Sequence, residues 1–160
     1  MDVANKLIKD YDNILFIIAG TGPLEKKLKI ETKNEDRIKI LGYRNDVPQI
    51  LALSNIYAQP SYSEGLSPAI LEACSYGLPI VSTYVGANPD LIINGINGFL
   101  IRPGDKIKLQ KFLSILIDNR DLRVKMGKIN KDLIKNNYDL KKTVKKFLSV
   151  LRKTTYTYYF

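Results

Sequence analysis

Five short apolar runs, at residues 14–19, 38–41, 56–58, 79–83 and 98–101, are each followed by a turn and then by an amphipathic stretch. That alternation is the signature of repeated βα units, in which parallel strands are joined by crossover helices. The first run, Ile14-Leu15-Phe16-Ile17-Ile18-Ala19, is continuously apolar and rich in β-branched residues, as a strand covered on both faces must be. Beyond Asp105 the period changes for good. Ile107, Leu109, Phe112, Leu113 and Leu116 recur at helical spacing, a further helix runs through Leu122, Met126 and Ile129, and a last stripe follows at Leu140, Val144, Phe147, Leu148 and Leu151. The expected fold is therefore α/β: a Rossmann-like, doubly wound parallel sheet with helices on both sides and further helices at the carboxyl end. A chain of 160 residues suits one such unit, here residues 1–153, leaving 154–160 as a tail. In folds of this kind ligands bind beyond the carboxyl ends of the strands. That rule nominates the turns at 20–23, 42–46, 60–65 and 84–88.

Composition removes several chemistries. With 45% hydrophobic and 26% charged residues the chain is neither disordered nor membrane-spanning in character. It has no histidine, so Ser-His-Asp hydrolysis, Cys-His proteolysis and His-ligated zinc are excluded within it. The single cysteine, Cys74, sits in an apolar stretch and reads as a core residue. The net charge of +9 favours anionic partners. Twelve of the 25 basic residues lie from Arg120 onward, where the simplest reading is a pair of solvated helix faces. Lysine-rich helices also suit peripheral contact with anionic lipid. The nominated loops carry glutamates rather than a basic and aromatic stripe, so nucleic acid is not an expected partner. The first residues show no basic patch ahead of an apolar stretch and so no secretory leader, which gives a cytoplasmic expectation, extending to the inner face of the membrane.

The loop after the third run carries the chemistry: Pro60-Ser61-Tyr62-Ser63-Glu64-Gly65-Leu66-Ser67-Pro68-Ala69-Ile70-Leu71-Glu72. Gly65 lets a ligand approach the backbone. Leu66 and Ser67 present free amides at a helix start, where phosphate is well accommodated. Pro68 suits the first turn of that helix. Glu72 follows about one and a half turns inside it and is able to accept two hydrogen bonds from a vicinal diol. Glu64, on the loop, reaches a second set of hydroxyls. A phosphate seat between two hydroxyl-binding carboxylates describes a nucleotide-sugar. The plainer alternatives are that Glu64 caps the following helix and that Glu72 is an ordinary exposed helix residue.

The segment from Glu64 to Glu72 resembles the E-x7-E signature of the large retaining glycosyltransferase family 4, whose enzymes have the GT-B fold. Further matches run in order along residues 5–150. Ala19-Gly20-Thr21-Gly22-Pro23 resembles the family's glycine turn, and Ile40-Leu41-Gly42-Tyr43 its strand end. Pro60-Ser61 resembles the pair before the first glutamate, Gly77-Leu78-Pro79-Ile80-Val81 the run after the second, and Asn94-Gly95-Ile96-Asn97-Gly98 a later turn. The resemblance implies a donor-binding domain, the carboxyl-terminal half of a GT-B enzyme, with a nucleotide-diphosphate sugar of UDP or GDP type as donor and a glycan or lipid-linked acceptor. It implies that Glu72 binds the donor ribose and that Glu64, the catalytic candidate, contacts the transferred sugar. Leu66 and Ser67 would meet the diphosphate beside Gly65 and Ser61, with Gly20 and Gly22 at the glycine turn. Gly42, Tyr43 and Arg44 would lie near the base. Neither a metal nor a resident cofactor is implied.

The family pattern normally begins one strand earlier, with a basic residue and a lysine that clamp the diphosphate, and it carries a separate amino-terminal domain for the acceptor. Residues 1–7 resemble the helix after that strand, so the expectation is a central strand missing, an apolar sheet edge left open, and weak donor binding with slow or no transfer by this chain alone. The alternative is a non-catalytic nucleotide-sugar-binding or assembly half of a split enzyme.

Overall fold

The computed structural model describes residues 1–138, 144–145 and 148–150. In chain order its elements are α1 (Asp2–Asp10), β1 (Phe16–Ala19), α2 (Glu25–Glu31), β2 (Ile38–Gly42), α3 (Val47–Leu53), β3 (Tyr57–Gln59) and α4 (Pro68–Ser75). They continue with β4 (Ile80–Thr83), α5 (Asn88–Leu91), β5 (Gly98–Ile101), α6 (Lys106–Asp118) and α7 (Arg120–Asn137). Every strand pair is parallel, as the apolar runs require.

The sheet is in two parts: β1 pairs with β2, while β3, β4 and β5 form a separate three-stranded sheet. The parallel α/β architecture expected from the sequence is present; its strands are hydrogen-bonded in two groups, divided between β1 and β3. Among the described residues nothing hydrogen-bonds the outer edge of β1 or of β3, so each sheet ends there. The two parts are nonetheless joined by side chains. One apolar cluster gathers Val3 and Leu7 of α1 with Val81 of β4, Phe99 of β5 and Leu113 and Leu116 of α6, and both Phe16 and Ile56 pack against it.

β4 lies at the centre of the larger sheet and is buried along its whole length. Its side chains alternate between two cores, because successive strand residues point to opposite faces. Val81 joins the cluster just named, and Ile80 joins Leu51, Ile70, Ala73, Cys74, Leu78 and Leu91 on the other face. Each such buried aliphatic side chain contributes about 2 kcal/mol relative to exposure. The rings of Phe99 and Phe112 stack with centroids 4.3 Å apart.

α1 and α6 run side by side in the same direction. The Asp2 carboxylate pairs with Lys106 at their starts, and the Tyr11 hydroxyl donates to Asp118 Oδ2 at 2.9 Å near their ends. α7 packs on α4, and the Arg123 guanidinium donates to the Leu116 and Ile117 carbonyls, closing the carboxyl end of α6. Beneath them a buried amide pair ties α7 to the turn before β5. Asn97 Nδ2 donates to Asn130 Oδ1 at 2.8 Å, and Asn130 Nδ2 donates to the carbonyls of Leu78 and Asn97.

Three local features depart from simple pattern reading. α2 buries none of its residues, and its apolar Leu24 and Ile30 face solvent. Ile107 is exposed although it opens the α6 stripe. Asp46 does not cap α3 through its side chain, because Arg44 occupies that carboxylate, with Nε at 2.7 Å. Of the last predicted stripe, Val144 and Leu148 are half-exposed. Leu140, Phe147, Leu151 and the tail at 154–160 lie outside the described residues.

Candidate functional site

The carboxyl end of β3 delivers the chain into the loop that sequence singles out. Gln59 is the last strand residue, and Ser67, almost fully buried, is the N-cap of α4. The Ser67 hydroxyl accepts from the Ile70 N–H at 3.4 Å and donates to Gln59 Oε1 at 3.0 Å. Ser67, not Glu64, is thus the residue that caps the helix. Gln59 Nε2 in turn donates to Glu64 Oε1 at 2.5 Å.

The second glutamate comes back to the same place. Glu72 is exposed on α4, one and a half turns from Ser67. The Tyr57 phenol is pushed up to about 12, first by its burial and then by the charges of Glu64 and Glu72. The Tyr57 hydroxyl itself donates to Gln59 Oε1 at 3.2 Å. No described residue accepts from the backbone amides of Gly65, Leu66 or Ser67, which leaves three donors at the start of α4.

The loop is held from β4 and α5. The Ser82 hydroxyl donates to the Gln59 carbonyl at 3.2 Å and accepts from Asn88 Nδ2 at 2.9 Å. The Thr83 hydroxyl donates to the Ser61 carbonyl at 2.7 Å, and the Ala87 amide to the Gly65 carbonyl at 3.1 Å. Gly86, at φ +52°, passes so close that a Cβ there would sit 2.1 Å from the Glu64 carbonyl oxygen. Only glycine fits that approach.

The other nominated residues gather on the smaller sheet. The Gly20 amide donates to the Gly42 carbonyl at 2.8 Å, joining the carboxyl ends of β1 and β2. Both glycines have positive φ, and a Cβ on Gly42 would meet Glu25 Oε1 at 2.8 Å. The Gly22 carbonyl accepts from the Glu25 amide. Tyr43 is exposed. The Arg44 guanidinium forks onto Asp46, which raises its own pKa and lowers that of the carboxylate, so its charge is already matched locally.

A cavity of about 260 Å³ opens at the same end of the strands, between Pro60, Tyr62, Ile101, Gly104, Lys106 and Met1. Neither glutamate lines it; Glu64 is partly buried on the loop and Glu72 exposed on α4. Among the described residues no group of three or more acidic or cysteine side chains is disposed to hold a metal ion, and no helix is long and apolar enough to cross a membrane. Cys74 is buried, its thiol pushed up to about 12 by that burial, as a core residue should be.

Sequence reasoning passed over Tyr57, Gln59, Ser82 and Thr83, and placed Gly86 and Asn88 only within the nominated turn at 84–88. Only Gln59 left a signal, as a polar residue closing an apolar strand immediately before Pro60. The others are spread over 32 residues and meet only when β3 and β4 pair.

Residues 1–133 match the model of a protein family described as glycosyl transferases group 1. An Escherichia coli UDP-Gal:alpha-D-GlcNAc-diphosphoundecaprenol alpha-1,3-galactosyltransferase is 35% identical over 151 residues, which is 90% of this chain and 37% of that protein. A Bacillus anthracis N-acetyl-alpha-D-glucosaminyl L-malate synthase is 28% identical, over 91% of this chain and 39% of its own length. The chain thus spans about two-fifths of such relatives. Among solved structures, Anabaena HepE in complex with UDP superposes with a TM-score of 0.84 at 23% identity, over 94% of this chain and 44% of that one. The carboxyl-terminal domain of a group 1 glycosyl transferase from Francisella tularensis gives 0.76 at 24% identity, over 86% of this chain and 76% of its own. At such identities the likeness establishes the fold.

Proposed function

The chain belongs to the glycosyl transferases group 1 family, and from that premise we propose that it is the donor-binding part of a retaining glycosyltransferase, moving a hexosyl group from a nucleoside-diphosphate sugar to a glycan or lipid-linked acceptor. The observation that carries this reading is the placement of Glu64 on the loop and Glu72 on the helix it enters, where the charges of both bear on the buried Tyr57 phenol, beside three backbone amides that no described residue accepts from. Diphosphate suits those amides and the helix dipole behind them. Glu72 accepts from the ribose diol on one side, and Glu64 meets the hydroxyls of the transferred sugar on the other.

In the transfer the bond from the anomeric carbon to the diphosphate oxygen breaks, and an acceptor hydroxyl oxygen takes its place on the same face. Negative charge grows on the leaving diphosphate, and its stabilisation is usually the largest catalytic contribution. The amides of Leu66 and Ser67 supply part of it. Because the chain spans two-fifths of its relatives, we assign the remaining phosphate cations and the acceptor site to polypeptide outside these 160 residues. The exposed lysines of α7 favour contact with an anionic cytoplasmic membrane face, where a lipid-linked acceptor would lie.

Titration calorimetry of the chain with UDP and with GDP tests the reading. Saturable binding of one of them, weakened about tenfold or more in Glu72→Ala through loss of hydrogen bonds to a charged acceptor, is expected. Affinity indifferent to Glu72→Ala, or no saturable heat from either nucleotide, would remove the basis for a donor site.

A further inference from the structure

We propose that Gln59 is a positioning residue, whose side-chain amide fixes the Glu64 carboxylate in the orientation from which it meets the transferred sugar; this rests on the donor-site reading above. Four hydrogen bonds define the arrangement. Gln59 Oε1 receives two hydroxyl donors, Ser67 at 3.0 Å and Tyr57 at 3.2 Å, which fill both its lone-pair directions. An ionised carboxylate only accepts, so the amide nitrogen must be the end that faces Glu64 Oε1. The Gln59 backbone is pinned as well, since its carbonyl accepts from Ser82, itself held by Asn88.

Each neighbour reinforces the orientation. Burial first, and then the charges of Glu64 and Glu72, push the Tyr57 phenol up to about 12, so its hydroxyl stays a donor throughout the working range. Ser67 is committed from the other side, because its oxygen already accepts from the Ile70 amide in the first turn of α4. The same serine thereby starts the helix that carries Glu72. Gln59 thus links the loop glutamate to the helix glutamate through a single side chain. An acid at this position would set a second carboxylate against Glu64, and an aliphatic one would leave Glu64 free to turn on an exposed loop.

The test uses the 160-residue chain, isotopically labelled, in two arms. Without ligand, the Gln59 side-chain NH2 signals should stand downfield of free amides and should return to the free-amide region in Glu64→Ala. Signals unmoved by Glu64→Ala overturn the proposal whatever the chain binds. In the second arm, UDP, UDP-galactose, GDP and GDP-mannose are titrated by chemical-shift perturbation, which registers weak binding. Gln59→Leu and Gln59→Glu should each weaken the sugar-bearing ligand about tenfold, the scale of one hydrogen bond to a charge, while leaving the matching nucleoside diphosphate within about twofold. Gln59→Leu combined with Glu64→Ala should be no weaker than Glu64→Ala alone. Equal losses for the nucleoside diphosphate and its sugar conjugate would mark a merely structural residue and overturn the proposal. So would a Gln59→Leu variant that binds like wild type while Glu64→Ala loses the sugar increment; that outcome leaves the donor site standing. Wild-type chain that binds none of the four ligands overturns the donor-site reading and the sugar-orienting role together.

Discussion

Cys74 and Tyr57 are weak acids pushed up to about 12, the thiol by burial alone and the phenol by burial first and then by nearby negative charge, Glu64 foremost. The sign of the consequence follows from linkage. An acid whose folded pKa exceeds its unfolded value keeps its proton in the native state after the unfolded chain has lost it, so its stabilisation is complete at low pH and disappears as pH climbs through the folded value. The two windows run from about pH 9 for the thiol and about pH 10 for the phenol up to about pH 12. Urea midpoints should therefore fall between pH 9 and 12, and Tyr57→Phe should flatten the part above pH 10. The buried thiol should also resist a disulfide reagent at pH 8 in the native chain and react fully in denaturant. Rapid labelling of native protein would contradict the core placement. At this scale the position of Glu64, Gly65, Leu66, Ser67 and Glu72 around a turn into a helix was legible, because a loop and the helix it enters are local in sequence. The Gln59 contacts were not, since nothing in the spelling of a strand says which of its side chains turns back onto the next loop.

α7 meets the turn after α4 through glycine. A Cβ on Gly127 would lie 2.0 Å from the Gly77 carbonyl oxygen, so the helix approaches closer than any side chain allows. Inside an exposed helix, alanine in place of glycine stabilises by about 1 kcal/mol. Here the sign reverses, and Gly127→Ala should cost on the order of 1–3 kcal/mol by overpacking, read from thermal melts. Asn130→Leu removes the partner of the Leu78 and Asn97 carbonyls and of Asn97 Nδ2, all in a buried setting. It should destabilise by about 3 kcal/mol, the scale of stranding buried polar groups. Gly86→Ala tests the buttress instead of the core. Its Cβ would strike the Glu64 carbonyl, so loss of nucleotide-sugar binding is expected with the circular-dichroism spectrum unchanged. Helix α2 illustrates the limit of pattern reading. Its apolar residues fall at helical spacing, yet it buries none of them, because periodicity specifies a helix without specifying anything for it to pack against.

Across the whole molecule stability is uneven. β4 is covered on both faces, whereas Ile17 of β1 is 40% exposed and α2 lends its sheet no buried side chain. Regions with few buried apolar contacts open at lower free-energy cost than the core. Amide exchange should therefore be fast and sub-global in β1 and β2 and slowest in Ile80, Val81 and Ser82. Uniform protection across both sheets would mean that they unfold as one body. The free edges of β1 and β3 among the described residues are also where any further strand would pair, since each presents unsatisfied amides and carbonyls.

The sequence by itself determined the five parallel strands, the helices between them, the switch to all-helical periodicity after Asp105 and the placement of Glu64 and Glu72 on either side of the start of α4. All of these rest on side-chain period or on residues a few positions apart, which local physics dictates. Only the tertiary structure decided that the sheet divides between β1 and β3, that Arg44 is spent on Asp46, and that Tyr57, Gln59, Ser82 and Asn88 assemble behind Glu64. Those outcomes depend on which strand edges meet and which buried hydrogen-bonding groups must find one another, and such choices are made between distant segments when they pack.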